Sequence, residues 1–211
     1  MNVELVHVTP DAEELITKMA RVSAPENESN METAPRLLRY LIKHQHWSPF
    51  EMANMCVEIQ TTRGISAQIL RHRSFSFQEF SQRYADVSAM GSAKIPQLRR
   101  QDYKNRQNSI DDLTAEDVGV YYRRISQLFE DAENLYREMV SNGVAKECAR
   151  NVLPLSSRTR LFMNGTLRSW LHYIKLREAH GTQMEHQVIA KEIKVIFTEQ
   201  FPIIAKAAFS S

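Results

Sequence analysis

Between Gln68 and Tyr84 the chain concentrates directional hydrogen-bonding groups: Arg71, His72, Arg73 and Ser74 in succession, then Ser76, Gln78, Glu79, Ser81, Gln82 and Arg83, interleaved with Phe75, Phe77 and Phe80. Guanidinium forks and serine hydroxyls can hold phosphate oxygens, while the rings supply apolar walls for a heterocycle. The segment therefore suits a phosphorylated planar ligand. Two other accounts share the pattern. A solvated basic turn anchored by its phenylalanines reads the same way, and so does a single-stranded nucleic-acid surface. Glu79 and a formal net charge of only +2 argue against the latter, whose positive groove should extend further.

A second candidate lies on residues 167–179, which read as a helix. At about 100° per residue, Arg168, His172 and Lys175 share one stripe. Trp170, Leu171, Tyr173 and Ile174 form a broad apolar face, and Arg177 projects from within it. A guanidinium is costly there unless an anion or a set of acceptors meets it. Otherwise its stem reaches past the face to water, or the helix has already frayed. Segments 63–84 and 146–180 together carry +8, leaving −6 on the rest, and arginine outnumbers lysine 18 to 9. The positive charge is thus local and fork-shaped, which suits phosphate or carboxylate oxygens and gives no reason to expect a polyanion wrapper or a membrane-adsorbing protein.

The elements that must position these residues follow from periodicity and caps. Residues 1–9 alternate as a strand. Thr9, Pro10 and Asp11 with Glu13 and Glu14 read as an N-cap, N1 proline and acidic first turn of a helix to residue 22. A helix over 35–44, a strand over 52–62 and one or two helical turns over 64–70 follow, while 75–107 reads as largely loop. Thr114 starts the clearest helix, over 114–141, with Asn142 and Gly143 as its stop. Helices over 146–151, 167–179 and 184–200 complete the pattern, Pro202 marking a stop before a short tail. The expectation is an α+β fold, a single domain over 1–211 with a small, mostly antiparallel sheet flanked by helices.

Cys56 and Cys148 are isolated and read as small buried hydrophobes. The start of the chain lacks the pattern of a signal peptide and no run is long and apolar enough to span a membrane, so a cytoplasmic protein is expected. His44 with His46, His180, and Glu185 with His186 lack the spacing of a metal set, and no metal is expected.

The run from Arg71 to Ser81, Arg-His-Arg, seven residues and Ser, resembles the signature of the flavin-dependent thymidylate synthases, and Gln82, Arg83 and Tyr84 continue it. His46-Trp47-Ser48-Pro49-Phe50-Glu51 is similar to that family's H-x-[ST]-P-F-E segment, Ala20-Arg21-Val22-Ser23 to its early A-R-V-S element, and Val152-Leu153-Pro154-Leu155 with Arg160 to its V-L-P-L segment and following arginine. The chain departs from the pattern at Gln78, where the family commonly has Asn, and at Met52, where it often has His. His180 follows Arg177 by three residues instead of the family's four, so either the loop is rearranged or Gly181 replaces the family's histidine, and His180 is not assigned to the flavin.

The resemblance implies reductive methylation of dUMP to dTMP, with 5,10-methylenetetrahydrofolate as carbon donor and FAD reduced by NADPH as hydride source, in a homotetramer with shared sites. It implies that Gln68, Arg71, Glu79, Ser81, Gln82, Arg83, Arg160 and Arg177 contact dUMP. Ser23, His46, Ser48, Arg71, His72, Arg73, Ser74, Glu79, Thr166, Arg168 and His172 would lie along FAD, and Glu51 near it. The resemblance gives Arg177 the catalytic role, in which its fixed cation would stabilise negative charge on the pyrimidine. Ser81 reads as a ligand-binding hydroxyl, because a serine nucleophile needs a base that the sequence does not identify. The alternative of another class is a non-catalytic nucleotide- or RNA-binding protein.

Overall fold

The computed structural model describes residues 1–209. Its main sheet is built from β1 (Asn2–Val8), β2 (Asn54–Thr62), β3 (Phe75–Glu79) and β6 (Arg158–Thr166), in the order β1-β2-β6-β3 and antiparallel throughout. A separate two-stranded ribbon joins β4 (Arg100–Gln101) to β5 (Ser109–Ile110). The α+β expectation holds. Central strand β6 sets the register: Leu161 lies opposite Ile59 and Glu79, and Met163 opposite Val57 and Phe77. Period-two alternation puts Thr159, Leu161, Met163 and Gly165 on the core face. Arg158, Arg160, Phe162 and Asn164 point the other way.

Helices cover that core face. From α1 (Ala12–Ala20) comes Ile16, from α2 (Ala34–Lys43) Leu38, from α6 (Leu167–Arg177) Trp170 and Ile174. From α7 (Met184–Gln200) come Ile189, Ile193 and Phe197, and from α8 (Pro202–Phe209) Ile204, all fully buried. The Trp170 indole N–H donates to the Met55 carbonyl oxygen at 2.9 Å, so its polar atom is satisfied inside the core. Helix α3 (Arg63–Ile69) links β2 to the Arg71–Ser74 turn, and α5 (Lys146–Ala149) supports the loop after β3.

The long helix α4 (Ala115–Ser141) matches expectation, with Thr114 Oγ1 accepting from the Asp117 N–H and Gly143 at φ 87° after Asn142. Within α4 only Tyr136 is buried, while Val120, Tyr121, Leu128 and Leu135 are exposed.

Several expectations are corrected. Thr9 does not cap α1: its hydroxyl accepts from the Asn54 N–H across the sheet, and Asp11, at φ 49°, occupies the cap position without a side-chain bond. Residues 75–107 are not mainly loop at their start, because Phe75–Glu79 is an edge strand on β6. Strand β6 had no counterpart in the periodicity reading. Pro202 opens α8, as an N1 proline can, instead of ending the helical region. Cys56 is buried as expected, but Cys148 is exposed.

Candidate functional site

The turn from Arg71 to Ser74 is fixed at its far end by Phe75. Phe75 lies opposite Gly165 on β6, and its ring occupies the space a side chain there would need: a Cβ on Gly165 would stand 2.4 Å from Phe75 Cδ1. The same ring packs edge-on against Trp170, with centroids 4.7 Å apart. Ser169 Oγ, in the first turn of α6, donates to the Ser74 carbonyl oxygen at 3.2 Å, and Thr166 Oγ1 caps α6 by accepting from the Ser169 N–H. These contacts hold the turn against the start of α6.

Arg168 is ion-paired to Glu51, which ties α6 to the Ser48–Glu51 turn, and His172 packs edge-on against Trp47 at 4.9 Å. Burial, with Arg168 and Lys175 nearby, lowers the His172 pKa. Thus Ser74, Thr166, Arg168 and His172 gather around the N-terminal half of α6, with Arg73 next to Ser74 on the turn and Ser48 on the turn that carries Glu51, whereas Arg71 precedes His72, which faces the other end of the helix. Ser23, on the turn after α1, and His46, beside His44 and Tyr40, are exposed. Arg71 and Arg73 are exposed and form no ion pair among the described residues, so their forks are free for an anionic group. That donor set fits the diphosphate of a dinucleotide.

At the other end of α6 the apolar-face arginine has found an acceptor. Arg177 Nε donates to His72 Nε2 at 2.8 Å. A guanidinium can only donate, so His72 carries no proton on Nε2. Burial and the Arg177 charge push the His72 pKa down to about 4. Beside them, the Tyr173 hydroxyl lies 2.9 Å from Nε2 of the fully buried His186, and His186 Nδ1 lies 3.4 Å from Gln68 Oε1. The Tyr173 hydroxyl is held protonated by burial. Arg177 therefore sits among neutral polar groups.

The remaining residues assigned to dUMP form a second group at the opposite end of β3. Ser81, Arg160, Gln78, Tyr84 and Phe162 line a cavity of about 390 Å³, in which Arg160 lies over the Phe162 ring. Arg83 pairs with Glu147 at 3.0 Å, both largely exposed. Gln82 is buried and its Nε2 has no hydrogen-bond partner among the described residues. Glu79 is occupied from within: its Oε1 accepts from Ser66 Oγ at 2.6 Å, Thr159 Oγ1 at 2.9 Å and Arg63 Nη1 at 2.7 Å. Ser81 bonds through its carbonyl to the Tyr84 and Ala85 N–H groups, and no base engages its hydroxyl among the described residues. Among those residues no hydrogen bond links this group to the Arg177 group.

Comparison with known proteins decides what this arrangement belongs to. The family model described as thymidylate synthase complementing protein matches residues 4–203. A probable flavin-dependent thymidylate synthase of Paramecium bursaria Chlorella virus 1 is 50% identical, covering 98% of each chain. The chain belongs to the flavin-dependent thymidylate synthase family. The flavin-dependent thymidylate synthase of a Synechocystis strain is 47% identical over 92% of this chain and 88% of its own. Among solved structures, a UMP/dUMP methylase, PolB from Streptomyces cacaoi bound with 5-Br dUMP, superposes with a TM-score of 0.87 at 27% identity, covering 98% of this chain and 93% of that one.

For a member of this synthase family, the sequence reading missed the polar groups that surround Gln68 and Arg177: Tyr173, Gln183, Glu185 and His186. Tyr173 read only as apolar face, and His186 only as half of a pair without the spacing of a metal set. The one local signal was the pairing of Glu185 with His186 next to a helix start. Nothing local pointed to Arg99, which clamps Glu185 from the loop before β4.

Proposed function

We propose that the chain converts dUMP to dTMP by reductive methylation, with 5,10-methylenetetrahydrofolate as carbon donor, NADPH as reductant and FAD as bound cofactor, the whole of residues 1–211 acting as one catalytic domain. When bound, FAD would supply the hydride that the reductive methylation consumes. The observation that carries the reading is the bond from Arg177 to a neutral His72. Because its protein partner is uncharged, Arg177 keeps its full charge for the substrate. A fixed cation beside the pyrimidine stabilises negative charge developing on the ring and makes C6 a better hydride acceptor.

In this reading Gln68, Arg71, Glu79, Ser81, Gln82, Arg83 and Arg160 join Arg177 in binding dUMP, Ser81 through its hydroxyl and Arg83 and Arg160 as anion forks. The unpartnered Gln82 Nε2 is an available donor. Ser23, His46, Ser48, Arg71, His72, Arg73, Ser74, Glu79, Thr166, Arg168 and His172 hold FAD, with Arg71 and Arg73 on the diphosphate.

Two features support a homotetramer with sites shared between copies. The dUMP residues fall into two groups at opposite ends of β3, a strand about 13 Å long at ~3.3 Å per residue, so complementary halves from two copies would complete one site. The exposed Val120, Tyr121, Leu128 and Leu135 also lie within about 100° of each other around α4, an apolar stripe that a neighbouring copy would bury. No helix among the described residues is long and apolar enough to cross a membrane.

The deciding experiment is to purify the protein, record its flavin spectrum, and measure dTMP formation with each of dUMP, methylenetetrahydrofolate and NADPH omitted in turn. Product should require all three. No flavin uptake together with no dTMP would reject the reading. Sedimentation should give a tetramer, and a fully active monomer would overturn the shared-site assignment.

A further inference from the structure

A chain of hydrogen bonds whose direction is set by one carboxylate reaches Gln68. Arg99 Nη2 grips Glu185 at 2.7 and 2.9 Å, with side chains only 7% and 15% exposed. Burial acts to raise the Glu185 pKa, but its own backbone N–H, Arg99 and Gln183 outweigh that effect and hold it below the ordinary value. Glu185 is therefore ionised near neutral pH and can only accept. Gln183 must turn its amide nitrogen toward Glu185 Oε2, at 2.9 Å, which leaves its oxygen 2.6 Å from Gln68. That oxygen also only accepts, so Gln68 must present its own nitrogen there, and its Oε1 faces His186 Nδ1.

His186 completes the sequence. Burial, together with Arg177 and His72, pushes its pKa down to about 3, so the ring is neutral and has a single N–H. With that N–H on Nδ1 directed at Gln68, Nε2 is free to accept from the Tyr173 hydroxyl at 2.9 Å. The contact from Nδ1 to Gln68 is long at 3.4 Å and contributes direction more than strength. Gln68, Gln183, Glu185 and Arg99 all line a cavity of about 530 Å³ with the apolar Ile65, a volume suited to a small ligand.

We propose that Gln183 and His186 are positioning residues that fix which end of the Gln68 amide donates and which accepts, and thereby make the site select uracil over cytosine. The inference rests on the reading of Gln68 as a dUMP contact and assigns that contact to the base. Uracil offers a carbonyl oxygen at C4 and a donor at N3, whereas cytosine offers an amine and an acceptor at the same places. An amide free to turn over can serve either ring. One held in a single orientation serves only one, and the wrong base leaves polar groups facing like groups.

The test measures equilibrium dissociation constants of dUMP and dCMP on the FAD-loaded enzyme for wild type, His186→Phe, His186→Asn, Gln183→Met and Gln68→Leu. Wild type should prefer dUMP. His186→Phe and Gln183→Met should reduce that preference by ~10-fold, near the low end of the cost of one wrong base contact. His186→Asn keeps a donor near the position of Nδ1 and should retain it. A purely structural role would weaken both nucleotides equally and leave their ratio unchanged. Because Gln183 is exposed, its variant keeps the test open if His186→Phe does not fold. A preference within ~2-fold of wild type in folded His186→Phe and Gln183→Met overturns the inference. If Gln68→Leu weakens dUMP binding while the preference persists in the others, the positioning role alone fails. If Gln68→Leu binds dUMP normally, the assignment of Gln68 to the substrate fails, and the inference with it.

Discussion

Arg177 and His72, 105 residues apart in the chain, meet through a single hydrogen bond of 2.8 Å from a charged donor to a neutral ring. The pairing answers the difficulty of an arginine on an apolar helix face. A carboxylate partner would have offset the desolvation cost more fully but would also have neutralised the charge. The imidazole satisfies one N–H of the guanidinium and leaves the others, and the net charge, available.

That charge should be essential to turnover and dispensable for folding. Arg177→Ala is expected to lower dTMP formation by ~10²-fold or more, the scale for losing one preorganised charge-stabilising donor, while the flavin spectrum and melting temperature stay close to wild type. Steady-state turnover together with FAD titration checks this. Near-normal turnover would refute the activation role.

Stability should fall on acidification because two histidines are held neutral. In the unfolded chain they titrate near 6.5, but in the folded protein His72 does so near 4 and His186 near 3. Between those values the unfolded state binds more protons, so the stability present above pH 6.5 declines as the pH falls through 6.5 toward 4 and 3. Urea midpoints at pH 7.5, 5.5 and 4.5 should decrease in that order. The loss between pH 7.5 and 4.5 should be smaller in a His72→Asn variant; an identical loss would show that His72 is not one of the groups responsible.

Gly165→Ala should destabilise the protein by ~1–3 kcal/mol, the range for overpacking a filled core, because the added Cβ falls within 2.5 Å of two Phe75 ring carbons. Displacing that ring loosens β3 and the turn carrying Arg73 and Ser74, so FAD affinity should drop with stability. Phe75→Leu in the same chain removes the clashing ring and should recover part of the stability lost to the alanine. If Gly165→Ala melts like wild type, the ring does not hold the turn as described.

At the exposed pair of Arg83 and Glu147, stability and binding should separate. Removing one partner of an exposed ion pair costs ~0–1 kcal/mol, so Arg83→Ala and Glu147→Ala should both melt near wild type. Only Arg83→Ala should raise the KM for dUMP, by ~10-fold, the equivalent of 1.4 kcal/mol. Equal effects of the two variants on KM would refute the proposed contact of Arg83 with dUMP.

Features set by near neighbours were legible in the residues alone. The caps of α4, the apolar face of α6 with Arg177 emerging from it, the basic cluster at Arg71 to Arg73 and the motif that marks the family are all properties of residues a few positions apart, where periodicity and capping chemistry act. The same locality explains what was hidden. In β6 the alternation of Thr159, Leu161 and Met163 is blurred by Phe162 on the opposite face and ended by Gly165, which bears no side chain because Phe75 of another strand fills its place. Phe75 and Phe77 alternate with Ser76 and Gln78, yet without β-branched residues the run reads as loop until pairing with β6 makes it a strand. That His72 is the acceptor for Arg177, that Glu79 is held by Arg63, Ser66 and Thr159, and that Arg99 and Glu185 orient Gln68 through Gln183 emerges only in the folded chain. Each of these depends on partners brought together by burying the β6 and α6 core, and hydrogen bonding between distant residues leaves no period in the sequence to read.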